Sequence, residues 1–169
     1  IALVICEGET EVCYLNLLNK WYKSPIKIVS HIEGTKITPS LVENRIKELK
    51  ISSRDKVYTF LMYDMDVEVV NEKLLKCKAE MLLSNPCFEI WLLLHIKDQK
   101  TAIKTDALIK ELKKIAPVWK NYNKSAFTDT QQSFLKDNTD VAVIRAKDLR
   151  EFQNPSTGIY KLIEMLKKR

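Results

Sequence analysis

The apolar run from Ile1 to Cys6 constrains the fold more than any other part of the chain. Its residues do not alternate between apolar and polar, which is typical of a parallel strand buried on both faces. Gly8 allows a turn after this run, and helical spacing follows from Thr10 onward. A buried strand that leads directly into a helix predicts an α/β fold.

The next part of the chain continues this alternation of strands and helices. Further strands are predicted at 26–32, 56–63 and 79–83, and helices at 11–21, 38–50, 67–77 and 86–96. The last of these helices is expected to have Asn85 as its cap and Pro86 in its first position. This order predicts a small, mainly parallel, Rossmann-like sheet flanked by helices.

Only helices are predicted after Ile96, at 105–115, 126–136, 140–152 and 156–168. Residues 1–97 contain 13 basic and 13 acidic residues, whereas residues 98–169 contain 15 basic and 9 acidic residues. We therefore divide the chain into an α/β core, 1–97, and a mainly helical, basic extension, 98–169, that packs on it. The excess of Lys and Arg is compatible with nucleic-acid binding, although Lys-rich helix faces are commonly only solvated. Candidate nucleic-acid contacts are Lys97, Lys100, Lys113 and Lys114.

Composition argues against several other classes of protein. No apolar run approaches the roughly 20 residues of a membrane-spanning helix, so no membrane association is expected. The four cysteines (6, 13, 77 and 87) have no CxxC spacing and lie in apolar segments, which favours core residues of a reduced, cytoplasmic protein over zinc ligands. His95 lies one helical turn from Trp91 and is interpreted as a core histidine rather than a catalytic base.

Acidic residues follow two of the predicted buried strands. Glu7 and Glu11 come after the first strand, and Asp64 and Asp66 come after the third. Groups at the carboxyl ends of strands in an open α/β sheet meet in one crevice, so these four carboxylates come within reach of one ion if the two strands are neighbours. Mg²⁺ prefers such oxygen ligands, and a pair of ions would suit phosphodiester displacement.

Other acidic residues are open to more than one interpretation. Asp66 could simply cap the following helix, and Glu68 could interact favourably with the dipole of that helix in its first turn. Glu9 is expected to face solvent. Glu89 shares a helix face with Leu92, where an unpaired carboxylate is unfavourable. It therefore needs a basic side chain, a backbone cap or the metal as its partner. Glu68 and Glu89 are kept as candidate ligands.

Together these motifs resemble a known family. ICEGETE at 5–11 and a strand that ends in DMD at 64–66 are similar to the Toprim catalytic domain of topoisomerases, primases and OLD-type nucleases. SNPCFEIWLLLH at 84–95 and NPSTG at 154–158 narrow the resemblance to the RloB-like family, a Toprim-related group linked to phage defence.

The resemblance implies a Toprim-like fold and a Mg²⁺- or Mn²⁺-dependent nuclease that acts as a toxic effector in abortive infection. By position, Glu7 is the Toprim glutamate, a metal ligand and acid/base; Asp64 and Asp66 match the Asp-x-Asp ligands. Glu11 matches the second glutamate of OLD-like sites, and Glu89 lies in the SNPxFE segment. It also implies a nucleic-acid substrate, an ABC/AAA-type ATPase partner and one or two metal ions; a homo-oligomer is possible.

The resemblance does not identify a basic residue for the transition state. Lys97, Lys100 or a lysine nearer the carboxyl terminus could serve. Two other functions remain compatible with the sequence. One is a different phosphotransfer at a nucleotide or polynucleotide 5′ end. The other is a catalytically silent metal- or nucleic-acid-binding module that works with the ATPase.

Overall fold

The computed structural model describes residues 1–52 and 54–168 and has a five-stranded sheet at its centre. The strands are β1 (Ala2–Cys6), β2 (Ile28–Ile32), β3 (Tyr58–Asp64), β4 (Glu80–Asn85) and β5 (Ser156–Thr157). Their order is β2-β1-β3-β4-β5, and the first four are parallel, whereas β5 pairs antiparallel with β4. The predicted α/β class and mainly parallel sheet are confirmed.

Helices cover both faces of the sheet. They are α1 (Glu9–Trp21), α2 (Pro39–Glu48), α3 (Glu68–Leu75), α4 (Glu89–Leu94), α5 (Thr105–Ile115), α6 (Asp129–Lys147) and α7 (Tyr160–Lys168). Short 3₁₀ turns occur at Gly34–Lys36 and Pro117–Trp119. Val4 and its face of β1 pack against α1, α4, α6 and α7, while Leu3 and the opposite face pack against α2 and α3. Burial of β1 on both faces explains its unbroken apolar sequence.

The helix after β4 begins later than its sequence predicts. Asn85 is the last residue of β4 rather than a helix cap, and Pro86 is not the first helical residue, because α4 begins at Glu89. The Asn85 side-chain amide instead donates a hydrogen bond of 3.0 Å to the carbonyl oxygen of Phe152. A partner distant in the chain has therefore replaced the local capping that the sequence favoured.

Two predictions for the C-terminal part are also wrong. Residues 126–136 and 140–152 do not form separate helices, since α6 runs without a break from Asp129 to Lys147. A capping box between Thr128 and Gln131 begins it, and its polar middle lacks a helix-breaking residue. Helices alone do not follow Ile96 either, because β5 joins the sheet. Its two residues are too few to show a strand period.

The predicted division at residue 97 remains a prediction, although the two parts share one apolar cluster. Trp91 of α4, Leu135 of α6 and Leu162 of α7 all belong to it. Gly158, just after β5, fits close against β4, since a Cβ there would lie 3.3 Å from the Met81 carbonyl oxygen. Residues beyond 97 therefore complete both the sheet and its core.

The cysteines are free thiols, and three of the four are buried, as predicted; Cys13 is only partly buried. His95 is buried in the core, with Nδ1 2.7 Å from the carbonyl oxygen of Trp91, and burial lowers its pKa to about 4. Among the described residues, no helix combines the length and the apolar character needed to cross a membrane.

Candidate metal centre

Adjacent strands bring the first two acidic residues together. β1 and β3 pair in parallel, with Cys6 opposite Met62, which confirms the neighbour relation on which the predicted site depended. Glu7 directly follows β1, and its backbone N–H extends the ladder by donating to the carbonyl oxygen of Met62 at 3.2 Å. Asp64 is the last residue of β3. Both carboxylates therefore lie at the carboxyl edge of the sheet.

The helix after β1 adds a third carboxylate to this edge. α1 begins at Glu9, so Glu11 lies in its first turn, where an acidic side chain is favourable for the helix dipole. Its side chain is only 5% exposed. One carboxylate oxygen each from Glu7, Glu11 and Asp64 can be chosen so that the three lie within 4.8 Å of one another. This is a compact set of three hard oxygen donors.

These carboxylates line a cavity of about 150 Å³ at the top of the sheet. The lining residues are Glu7, Gly8, Thr10, Glu11, Asp64, Phe88, Glu89 and Lys124. Asp64 is oriented by the segment that precedes α4, because the backbone N–H of Phe88 donates to its Oδ1 at 2.7 Å. The cavity is thus built from β1, α1, β3, α4 and the loop between α5 and α6.

Glu89 is almost completely buried, at 2% exposure, and it lines the same cavity. Its partner is the Tyr122 hydroxyl, which donates to Oε2 at 2.8 Å. This partner is a neutral hydroxyl, whereas the sequence predicted a basic side chain, a backbone cap or the metal as the partner of Glu89. Burial and the charge of Glu89 both raise the pKa of Tyr122, so the phenol stays protonated and keeps donating.

Burial and like charge make this cluster unfavourable for full ionisation. Burial raises the pKa of Glu11 to about 7, and the charge of Glu7 adds to the rise. The pKa of Asp64 is also raised, first by burial and then by the charges of Glu7 and Glu11. The pKa of Glu7 is raised by burial and by Asp66, while a hydrogen bond to Asp64 opposes the rise. A cation among these oxygens would remove the repulsion.

The family to which the chain belongs can be stated once this arrangement is known. A model of the RloB-like proteins matches residues 2–166, which is nearly the whole chain. The protein belongs to the RloB-like family. The match takes in both acidic strand ends and the helices that follow the sheet. Comparison with curated proteins and with solved structures found no match.

The other candidate ligands of this RloB-like protein lie outside the three-carboxylate group. Asp66 is exposed, although its charge raises the pKa of Glu7. Glu68 is exposed in the first turn of α3, the position that favours the helix dipole. Glu9 faces solvent, as predicted. Glu7, Glu11 and Asp64 are therefore the candidate ligands that the structure brings together, with Glu89 on the same cavity wall.

The lysines singled out by the sequence lie elsewhere. Lys97 pairs with Glu111 at 3.6 Å and Lys100 with Asp98 at 3.7 Å, while Lys113 and Lys114 lie in the last turn of α5. None of these four lysines lines the acidic cavity.

A lysine that the sequence did not single out lines the cavity instead. Lys124 lies in the loop between α5 and α6, and its charge lowers the pKa of Glu7. Thr10 holds this loop against α1 by donating to the carbonyl oxygen of Lys124 at 2.6 Å. A polar loop between two helices is a common place for functional residues. That was the available signal, but nothing in the sequence connected this loop with the first strand.

Proposed function

We propose that this protein is a Mg²⁺- or Mn²⁺-dependent phosphodiesterase of the Toprim type that cleaves DNA or RNA. The observation that carries the proposal is the group of Glu7, Glu11 and Asp64, whose oxygens lie within 4.8 Å of one another at the edge of a parallel sheet. Toprim-like character is part of this proposal and is supported by the acidic ends of β1 and β3. A role in defence against phage, together with an ATPase partner, is proposed from the family resemblance.

The residues present fit a hard divalent cation. The donors are all carboxylate oxygens, which suit Mg²⁺ and Mn²⁺ better than soft metals. They are partly or fully buried. Burial and then the repulsion between neighbouring carboxylates raise their pKa values, and a cation would offset this repulsion. Glu7, Glu11 and Asp64 would hold the ion. Exposed Asp66, whose charge raises the pKa of Glu7, is the candidate ligand for a second one. A bound ion would supply Lewis-acid stabilisation of the phosphate and acidify a nucleophilic water.

The remaining polar groups of the cavity have distinct tasks in this proposal. Glu7 would accept a proton from the attacking water, and the rise of its pKa through burial is compatible with this role. The Phe88 N–H fixes Asp64, and the Tyr122 hydroxyl fixes Glu89 at the wall. Lys124 provides the positive charge that would contact a non-bridging phosphate oxygen.

The proposal is tested by a cleavage assay on DNA and on tRNA. Wild-type protein is incubated with Mg²⁺, with Mn²⁺ or with EDTA, beside Glu7→Gln and Asp64→Asn. We expect cleavage with either metal, none with EDTA and little from the variants. Metal-independent cleavage that both variants retain would overturn the proposal. Calorimetric Mg²⁺ binding without cleavage, together with salt-dependent nucleic-acid binding, would favour the silent binding module instead.

Replacement of Lys124 tests its contact with phosphate. Lys124→Met is expected to lower the cleavage rate by about 10- to 100-fold, because a hydrogen bond to a charged group contributes about 1.5–3 kcal/mol. The rise in melting temperature caused by Mn²⁺ should persist, since the carboxylate ligands are intact. Lys120→Met is the matched control, because Lys120 is exposed nearby and does not line the cavity. Equal losses in both variants would contradict the assignment.

A further inference from the structure

A second groove lies between the end of α1 and the beginning of α6, at the opposite end of α1 from the candidate metal centre. Its volume is about 460 Å³. The lining residues are Lys20, Trp21, Asp129, Gln132, Ser133 and Lys136. Within residues 1–52 and 54–168, neither Lys20 nor Lys136 forms an ion pair. The groove therefore offers two uncommitted ammonium groups beside an indole ring.

Trp21 is the tryptophan that has access to solvent. Trp91 and Trp119 are completely buried at 0% exposure, whereas Trp21 is partly exposed. Its ring meets Tyr14 edge to face, with centroids 6.5 Å apart, which fixes the indole against the core. Trp21 also lines a smaller groove of about 230 Å³ that contains Lys23 and Lys167, of which Lys167 pairs with Asp140. The indole thus contributes to two grooves that contain lysines.

The larger groove is connected with the metal centre through α1. Thr10, at the beginning of this helix, lines the acidic cavity, and Trp21 is its last residue. At 1.5 Å of rise per residue, the eleven residue steps from Thr10 to Trp21 correspond to about 16 Å. The loop that carries Lys124 follows the same side of α1, because Cys13 Sγ donates to the carbonyl oxygen of Ser125 at 3.3 Å. Lys124 and the groove therefore lie along one side of α1.

We propose that this groove binds a single-stranded nucleic-acid segment whose scissile phosphate lies at the metal centre, an inference that rests on the proposed function. A base stacks on Trp21, and Lys20 and Lys136 contact the flanking phosphates. The Gln132 amide and the Ser133 hydroxyl can donate to base or sugar oxygens. Asp129 is the single acidic residue in the groove, so its net charge is positive.

The geometry favours a single strand over a duplex. An indole can stack on a base only where the base is not already paired and stacked within a helix, and stacking platforms with a basic track are typical of single-strand binding. The spacing of about 16 Å is several times the rise of about 3.4 Å per nucleotide in a stacked strand, so a single nucleotide cannot span it. The substrate is therefore a strand or loop of at least this length rather than a mononucleotide.

Tryptophan fluorescence tests the groove without requiring cleavage. A ten-nucleotide oligothymidylate is titrated in EDTA into the wild type, Trp21→Leu and Trp21→Phe. We expect the oligonucleotide to quench wild-type emission, since the exposed indole is the one that meets the base. Binding, followed by anisotropy of a labelled strand, should weaken by about 5- to 100-fold in Trp21→Leu and recover in Trp21→Phe, which retains a stacking ring.

Two further probes separate stacking from charge. An abasic strand of equal length carries phosphates without bases and should bind weakly without quenching, and a blunt duplex should not quench either. Lys20→Ala and Lys136→Ala should each reduce the slope of log affinity against log salt by about 0.7, whereas exposed Lys110→Ala on α5 should leave it unchanged. Thermal melts of each variant confirm that the fold is intact.

The outcomes distinguish this inference from the proposed function. The inference about the groove is overturned if the abasic strand quenches wild-type emission as much as oligothymidylate does, or if Trp21→Leu binds the strand with undiminished affinity. Either result would count against the groove even if the protein cleaves nucleic acid with metal. Quenching that depends on bases, in a protein that never cleaves, supports the groove and rejects the catalytic proposal. Tighter binding of the duplex than of the single strand also overturns the inference.

Discussion

Glu7→Gln is expected to lower metal-dependent cleavage by more than about 100-fold, because it removes a proposed metal ligand. Loss of a residue that only supports a metal ligand already lowers affinity or activity by about 10- to 100-fold. Glutamine keeps the size of the side chain but supplies a neutral amide. It also removes one of the charges that raise the pKa values of Glu11 and Asp64. The metal-free variant should therefore unfold at a higher temperature than the metal-free wild type at neutral pH.

This pair of effects separates loss of a ligand from loss of the fold. A misfolded variant would lose both activity and stability, whereas Glu7→Gln should lose activity and gain stability. Glu9→Gln is the matched control, since Glu9 lies two residues away, is exposed and does not line the cavity. It should keep full cleavage and should not gain stability, since its charge lies in the first turn of α1. Wild-type activity in Glu7→Gln would remove Glu7 from the centre.

The acidic edge of the sheet could be predicted from the sequence because it depends on local patterns. Unbroken apolar runs identify buried parallel strands, and the carboxyl ends of neighbouring strands lie together. These patterns predict Glu7 beside Asp64 if β1 and β3 are neighbours, and one helical turn brings Glu11 to the same side. The register of β1 with β3 agrees with this prediction.

The other wall of the cavity could not be predicted because it depends on contacts between distant segments. Tyr122 donates to Glu89 across 33 positions in the chain, and the loop of Lys124 is fixed to Thr10 across 114. Neither pairing leaves a period or a spacing in the sequence. The two-residue strand β5 was missed for the same reason, since its pairing with β4 replaces any local preference.

The cavity combines the part of the structure that local sequence patterns predict with the part that depends on contacts between distant segments. The sheet edge supplies a concentrated negative charge, and the C-terminal helices supply a neutral donor and a lysine. In the cavity lining, Glu7, Glu11, Asp64 and Glu89 face the single basic residue Lys124. The net charge of the cavity therefore depends on whether the carboxyl groups hold protons or a cation. For this reason the thermal stability of the protein should report on binding of a cation in the cavity.

A divalent cation is expected to stabilise the protein, and by more at high pH than at low pH. At a free concentration of 100 times its dissociation constant, a ligand that binds only the folded state contributes about 2.7 kcal/mol. In a chain of this length, 1 kcal/mol corresponds to about 2–4 °C, so the melting temperature should rise by about 5–10 °C.

The pH dependence has a definite sign. In the folded protein the pKa of Glu11 is about 7, above its ordinary value of 4.5, and those of Glu7 and Asp64 are shifted in the same direction. The folded state therefore holds more protons than the unfolded state, and the metal-free protein loses stability as pH rises from about 4.5 through 7. A cation binds the deprotonated carboxylates, so its affinity increases over the same interval.

Thermal melts with and without Mn²⁺ at pH 5.5 and pH 8 measure both trends. The metal-free protein should melt lower at pH 8, and Mn²⁺ at one fixed concentration should raise the melting temperature more at pH 8 than at pH 5.5. Asp64→Asn should reduce both the loss of stability with pH and the response to Mn²⁺, while Glu68→Gln, on the exposed surface of α3, should change neither. An Mn²⁺ response that is equal at the two pH values, or unchanged in Asp64→Asn, would show that the ion binds elsewhere.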